Sequence, residues 1–575
     1  MRSLLRRALA GSVFTSASLL PAVALACGGF FCNQNQPVNQ AAESIIFADN
    51  GDGTTTAVIQ IQYQGPAESF SWLLPISSVP DAETGIGVAS NLALQRLQSA
   101  TNPSYTLTTR VEGTCREQND GFASGSSASA GSGNLGLGPS AAPDSGGGVT
   151  VEASGIVGAF EWTVISLDET LAEPADAAVE WLGMNGYDVP SGAPALLGPY
   201  LEDGLYLLAL KLTKGADSGS IRPIVLTYEG TEASIPVKLT AVAANDDMGV
   251  LTWVLGESRA VPKNYLSLEL NEARINWFNA NSTYNAVVIE AADDAQGQGF
   301  VTEFAGSTDM LSQVVWTSGE EASWANFGGS VYGSFGELFE QAFGQYGSYD
   351  GFWDATRTAV TLPEGLAFED FKLCPNCYSA QVTLSPAAYV AELERSVIEP
   401  MKRVQALIDA HPTLTRMYTT LSAEEMTVDP IFTFNADAPE VSNLHTAERV
   451  IECNPSVFQF EAPWRIELES GDIVRGTAAD AQSATWPSAL DELPANSRIL
   501  RAGSSGEGKV VEDNAVPITE ALALYNDGVP GAPDDTGSGS SGCAVAAPGG
   551  AWSAVLAALG MAGALLRRRR RMIAK

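Results

Sequence analysis

Apolar and polar positions alternate where Ile59, Ile61 and Tyr63 interleave with Gln60, Gln62 and Gln64. A period of two with one polar face predicts a half-buried strand over 54–64. A partner strand over 43–48 precedes it across Asp49-Asn-Gly-Asp-Gly53, whose Asn-Gly and Asp-Gly pairs are hairpin-turn chemistry. The same five residues look like a fragment of a calcium loop, but no bidentate glutamate follows at the spacing such a loop needs. Strand-like stretches recur at 70–76, 105–113, 160–167, 205–213, 221–228, 234–243, 249–255, 299–306, 464–469 and 473–475, with turn signals between them. Trp181 and Trp253, inside this text, are expected in the core.

A helical period is clearest after Ser385-Pro386, where serine suits an N-cap and proline the first helical position. From there Tyr389, Leu393, Val397, Met401, Val404 and Ile408 recur at helical spacing, and Pro400 inside the run predicts a kink. Shorter helices are expected over 88–98, 175–184 (stopped by Asn185-Gly186), 335–346 and 518–525. Ser422-Ala-Glu-Glu425 reads as a capping box, which makes Glu425 a cap and not a catalytic acid. The aromatic, glycine-rich segment 318–350 is expected to be core and its loops. The pattern predicts a β-rich α+β fold, with antiparallel sheet domains and a long kinked helix near residues 386–410.

Composition shifts suggest a division into a β-rich domain over 27–260, a mixed domain over 261–455 and a small segment over 456–526. The stretch 122–148 is almost wholly Gly, Ser, Ala and Pro and predicts a disordered insertion. A second such stretch, 527–542, reads as a stalk.

The two ends change the picture. Arg2, Arg6 and Arg7 precede the apolar run 8–25, and Ala24-Leu25-Ala26 fits a signal peptidase with cleavage after Ala26. Lipid attachment at Cys27 is the alternative, although Ala24 stands where a lipobox prefers leucine. At the other end Cys543 is followed by an apolar run to Leu566 and by Arg567 to Arg571. Pro548-Gly549-Gly550 breaks the run, so the helix expected over 551–566 spans about 24 Å at the α-helical rise, short of the roughly 30 Å of a hydrocarbon core. A marginal span suits a segment that is recognised and cut better than a permanent anchor. Basic clusters at both ends place them toward the cytoplasm and the body outside.

Removing the nine basic residues of these two segments from a net charge of −36 leaves about −45. That excludes a nucleic-acid partner on electrostatic grounds. Six cysteines remain once Cys543 is set aside: Cys27, Cys32, Cys115, Cys374, Cys377 and Cys453. In an oxidising compartment they predict three disulfides, with the connectivity open. Cys27 and Cys32 are near enough to pair. Cys374-Pro-Asn-Cys377 reads as a short structural bridge, with a redox pair or half of a zinc site as alternatives. Zinc would need His411, His445 or Cys453, and no second pair stands at finger spacing. No metal site, cofactor or catalytic residue is assigned from the sequence.

The tail resembles the MYXO-CTERM class of bacterial C-terminal sorting signals: a Gly/Ser stalk at 537–542, then Cys543, an apolar helix and an arginine cluster. The resemblance implies processing or lipid attachment near Cys543 by a sortase-like membrane protease, and display at the cell surface. The body resembles the bacterial family known as domain of unknown function 2330. Its carriers are Ala26-Cys-Gly-Gly-Phe-Phe-Cys32, Trp72-Leu-Leu-Pro75, Trp181-Leu-Gly-Met-Asn-Gly-Tyr187, 234–240, 299–306, Cys374-Pro-Asn-Cys-Tyr378, 414–420 and Glu425-Met-Thr-Val-Asp-Pro430, spanning about 27–453. The family supplies no reaction and so no catalytic residues.

With two histidines and no nucleophile elbow, zinc-protease motif, phosphate loop or dinucleotide fingerprint, the sequence favours an exported, envelope-anchored binding or structural protein. The alternatives are a secreted carboxylate-based hydrolase and a thiol oxidoreductase using Cys374 and Cys377. The expected partners are signal peptidase, a sortase-like protease, the membrane and an unidentified surface ligand.

Overall fold

The computed structural model describes residues 39–529, apart from 65–70, 83, 117–147, 169, 188–191, 214–220 and 242–243. The hairpin of Asn39–Asp49 and Thr54–Gln64 forms as its alternation predicts, with Ile45 opposite Ile59. Its turn is closed from within, because the Asp52 carboxylate accepts from the Thr54 N–H at 2.9 Å and the Thr54 hydroxyl at 2.6 Å. Gly51 and Gly53 take φ of 73° and 90° there, a region that favours glycine.

The first of these strands lies inside a ten-stranded mixed sheet. The order across it is Lys509–Asp513, Asn496–Arg501, Leu266–Leu270, Gly299–Ser307, Thr413–Leu421, Ala244–Gly256, Asn39–Asp49, Thr54–Gln64, Ile224–Glu229 and Ile86–Val88. Two neighbouring pairs are parallel, Asn39–Asp49 with Ala244–Gly256 and Leu266–Leu270 with Gly299–Ser307; the others are antiparallel. Ile45 and Phe47 face one side and Ile46 and Ala48 the other, all buried, which is the near-continuous apolar run of a strand covered on both faces.

One face packs on a second, antiparallel sheet: Ser71–Ile76, Tyr206–Leu212, Phe160–Leu167 and Val149–Val157. Trp72, Leu74, Trp162, Leu208 and Leu210 meet Ile45, Phe47 and Ile59 between the two sheets. The outer side of this second sheet is covered by the helices Pro174–Met184 and Ala193–Glu202, through Trp181, Leu182 and Leu197. The opposite face of the large sheet is covered by helices of which Asn91–Thr101, Phe335–Tyr346 and Glu399–Ala410 contribute Leu94, Phe339 and Met401. The result is four layers, helix–sheet–sheet–helix. A third sheet, Ile473–Gly476, Trp464–Leu468, Leu444–Glu452 and Ser104–Glu112, carries its own core around Trp277, Trp464 and Trp486.

The fold is α+β and β-rich as expected, but the expected divisions at 260 and 455 do not separate its layers. The large sheet draws strands from both sides of each, since Ala244–Gly256 pairs with Thr413–Leu421 and the sheet continues to Lys509–Asp513. The strand expected over 234–243 is also corrected. Pro236 lacks the N–H a ladder needs, and only Ala233–Ser234 pairs before the chain turns into the short helix Val237–Thr240. The capping-box reading of Ser422 holds in half: Glu425 accepts from the Ser422 N–H at 2.9 Å, but the segment is a turn and not a helix.

The long helix runs as Pro386–Leu393, five residues of wider π-turn at Glu394–Ile398, and Glu399–Ala410. Pro400 has no N–H for the carbonyl of Ser396, four residues earlier. Arg222 supplies the missing donor, with Nη1 2.7 Å from the Ser396 oxygen. The aromatic segment is core as expected: Trp324, Phe327, Phe339 and Tyr346 are buried together. Its first helix, Ser318–Gly329, opens on a full capping box in which Thr317 and Glu320 satisfy each other's backbone N–H groups. Thr317→Ala is expected to cost about 1 kcal/mol, read as a lowered urea midpoint with unchanged slope.

Candidate functional site

Along Asn39–Asp49 the positions facing the second sheet are Glu43, Ile45 and Phe47. Pairing sets Glu43 beside Val250 on one neighbouring strand and Ile61 on the other, in a row that is otherwise apolar. The side chain is 4% exposed, and its Oε2 is enclosed with no hydrogen-bond partner. Burial disfavours the charged form and raises the carboxyl from its ordinary 4.5 to about 7.

This carboxyl borders a cavity of about 620 Å³ between the two sheets. The floor is Glu43, Ile45 and Phe47 with Ala57, Ile59 and Tyr228; the opposite wall is Leu74 to Ile76. Burial holds the Tyr228 phenol well above its ordinary range. One side of the mouth is tied together by Asp429. Its carboxylate accepts from the Tyr200 hydroxyl at 2.7 Å and from the Lys238 N–H at 3.0 Å, with the Lys238 ammonium 3.7 Å away. Burial, and then the neighbouring Asp429 charge, raise the Tyr200 phenol. Asp203, Glu229 and Glu232 add acidic groups to the same lining. An apolar chamber with one unpartnered acid inside it and carboxylates at its edge can enclose an apolar body and accept a hydrogen bond from its head.

A second polar cluster lies on the opposite face of the large sheet. The Arg416 guanidinium donates to Glu303 at 2.5 Å, and the Tyr284 hydroxyl donates to the other Glu303 oxygen at 2.5 Å. Arg416 also reaches the Gln98 carbonyl and the Thr101 hydroxyl, both at 3.1 Å, and sits 5.7 Å from the Trp253 ring. The Trp253 indole donates to the same Thr101 hydroxyl, so this cluster fastens the helix Asn91–Thr101 to the sheet. Burial, with Glu303 second, raises the Tyr284 phenol well above its ordinary range. Both Glu303 oxygens are engaged, whereas Glu43 has no such partners.

The cysteines fall into place as bonds. Cys115 joins Cys453, with Cα atoms 4.6 Å apart, and Cys374 joins Cys377 at 5.3 Å. The first bond is admitted by Gly113, whose φ is +80° and where a Cβ would stand 2.3 Å from the Cys453 carbonyl oxygen. The second sits in an exposed 3-10 turn, Pro375–Tyr378, where Asn376 donates to the Glu340 carboxylate. Ala26, Cys27, Cys32, Cys543 and the expected helix 551–566 lie outside the described residues, as do nearly all of the 122–148 insertion and most of the 527–542 stalk.

His445 is more than a surface residue: its Nδ1 is 2.7 Å from Glu272 and its ring stacks 4.5 Å from Tyr105. His411 contacts the carbonyls of Leu407 and Asp49. Among the described residues no group of three or more His, Cys, Asp or Glu could hold a metal, and no helix is long and apolar enough to cross a membrane. Glu43 went unremarked in the sequence reading. Parity along Glu43-Ser-Ile45-Ile-Phe47 is the signal that marks it, an acid on the row that buries isoleucine and phenylalanine.

Fold and cavity together define a sheet-on-sheet α+β protein with an acid-floored internal chamber. The chain belongs to the bacterial family described as "Uncharacterized protein conserved in bacteria (DUF2330)", which it matches over residues 21–326, more than half its length. The match ends before the 453 expected from the sequence. It therefore omits Thr413–Leu421, the strand between Gly299–Ser307 and Ala244–Gly256. No curated protein and no solved structure was found to match the chain.

Proposed function

We propose that this is an exported, envelope-anchored binding protein, without catalytic activity, that takes a small apolar molecule with a hydrogen-bond-donating head into the Glu43 cavity. The observation that carries the reading is the buried, unpartnered Glu43 carboxyl facing a chamber of about 620 Å³. Such a group is costly in isolation, and a donor brought in by a ligand offsets that cost. Export is supported by the leader ending at Ala26 and by the disulfides, which persist in oxidising compartments. Surface retention is supported by Cys543, the apolar run and Arg567 to Arg571, the order of a MYXO-CTERM signal.

The test is calorimetric titration with octylamine and octanoate at pH 8, in the wild type and in Glu43→Gln. Octylamine should bind, octanoate should bind at least about tenfold more weakly, and Glu43→Gln should remove most of that preference. Equal affinity for the two, or a preference unchanged by the substitution, would sink the reading.

One observation favours a second reading, a carboxylate-based hydrolase: an acid near neutrality suits a general acid. That reading requires release of product from a surface polysaccharide and its loss in Glu43→Gln. Glycan turnover that persists in the variant removes it.

A further inference from the structure

The third sheet treats its arginines in two ways. On one face Arg110, Arg465 and Arg475 are interlaced with Glu112, Glu448, Glu452 and Glu467. Arg465 reaches Glu112 and Glu452 at 2.7 Å each, and Arg475 reaches Glu452 at 2.8 Å. On the other face of Leu444–Glu452, Arg449 stands between Ala447 and Ile451 with no carboxylate. Its Nε is buried without a hydrogen-bond partner, and its guanidinium lies 5.8 Å from the Phe278 ring.

Arg449 borders a groove of about 750 Å³ beside the Cys115–Cys453 bond, and Arg116 borders the same groove. Arg116 is exposed, lies 4.7 Å over the Phe458 ring, and forms no ion pair among the described residues. Phe458 and Phe460 stack in parallel, 5.4 Å apart and 7° from coplanar, and Phe460 remains 48% exposed. The nearby Glu461 carboxylate is turned to its own backbone, accepting from the Phe458 N–H at 3.3 Å.

In a chain with 67 acidic and 31 basic residues, two arginines without acids share one groove with an aromatic pair, half-buried Phe458 and exposed Phe460. We propose that this groove is a second binding site, for an anion carried on a flat apolar body. Arg116 and Arg449 take the carboxylate or phosphate, and Phe458 and Phe460 take the body. A guanidinium half withdrawn from water gains more from an anion than an exposed one does, and its fork matches both anions. The site is independent of the Glu43 cavity, which lies between the ten-stranded sheet and the second sheet.

The probes are 2-naphthoate and its neutral counterpart 2-naphthalenemethanol, titrated calorimetrically into the whole exported protein with disulfides intact. Naphthoate should bind at least about tenfold more tightly than the alcohol, and added salt should weaken it. Arg449→Gln and Arg116→Gln should each lower naphthoate affinity about tenfold, and Phe460→Ala should weaken both probes alike. Glu43→Gln should leave naphthoate binding unchanged. Arg116 is exposed, so its variant tests the site even where Arg449→Gln proves unstable. Equal affinity for acid and alcohol, no naphthoate binding at millimolar concentration, or full affinity in Arg116→Gln would each overturn the proposal.

Discussion

Arg416→Met is expected to destabilise the folded protein by about 3–5 kcal/mol. The side chains of Arg416 and Glu303 are 5% and 2% exposed, so removing the cation strands a carboxylate where water cannot reach it. The same substitution strips donors from the Gln98 carbonyl and the Thr101 hydroxyl, which loosens the helix Asn91–Thr101. Urea unfolding should show a large fall in midpoint with little change in slope. Adding Glu303→Gln should recover much of the loss, because it removes the stranded charge. A single-variant cost under about 1 kcal/mol would show that the pair does not hold the helix to the sheet.

The second large effect is a dependence of stability on pH that passes through Glu43. Its folded pKa of about 7 lies above the ordinary 4.5. A raised acid prefers the folded state when protonated. Its favourable contribution is full below pH 4.5 and is lost as pH rises through 7. The size follows from the interval, about 3 kcal/mol. Glu43→Gln should match the wild type near pH 4.5 and exceed it by up to about 3 kcal/mol above pH 8. Parallel stability curves for the two proteins would mean that the carboxyl is not desolvated. The same comparison also reports a ligand, since a bound donor would flatten the wild-type curve.

Period and punctuation carried much of the architecture. The hairpin around Asp49 to Gly53, the strand at Phe160, the helix ending at Asn185 and the long helix interrupted before Pro400 were all legible. Each is decided by neighbours in sequence: alternation, turn pairs, a cap, a missing N–H. The central strand Thr413–Leu421 escaped, because Thr415, Arg416, Thr419 and Thr420 read as polar although all are buried. Their burial depends on Glu303, Trp253 and the helix Asn91–Thr101, which no local window contains. For a related reason the pairing of Ala244–Gly256 with Thr413–Leu421 was not legible, since strands far apart in sequence are neighbours in the sheet. Cys115 and Cys453 were visible as thiols and not as a pair, since 338 positions separate them. Glu43 and Arg449 share this difficulty. A charged residue's missing partner is a property of three dimensions.

That bond also fixes how the molecule answers to being pulled. Tension on the two ends of the chain can straighten only what lies outside the ring closed by Cys115 and Cys453. The stretch between them, a sequence separation of 338 and roughly 1,100–1,200 Å of extended chain, stays out of reach while the sulfurs are joined. Inside the ring lie five of the large sheet's ten strands, among them Ala244–Gly256, Gly299–Ser307 and Thr413–Leu421. The strand that carries Glu43 lies outside it, joined to the ringed part by its ladder with Ala244–Gly256 and by the packing of Ile45 and Phe47 on Trp162, Leu208 and Leu210. The chamber's floor strands Asn39–Asp49 and Thr54–Gln64 and the wall Ser71–Ile76 lie outside the ring, so a load can part the acid-floored chamber, and its extension halts at the covalent stop.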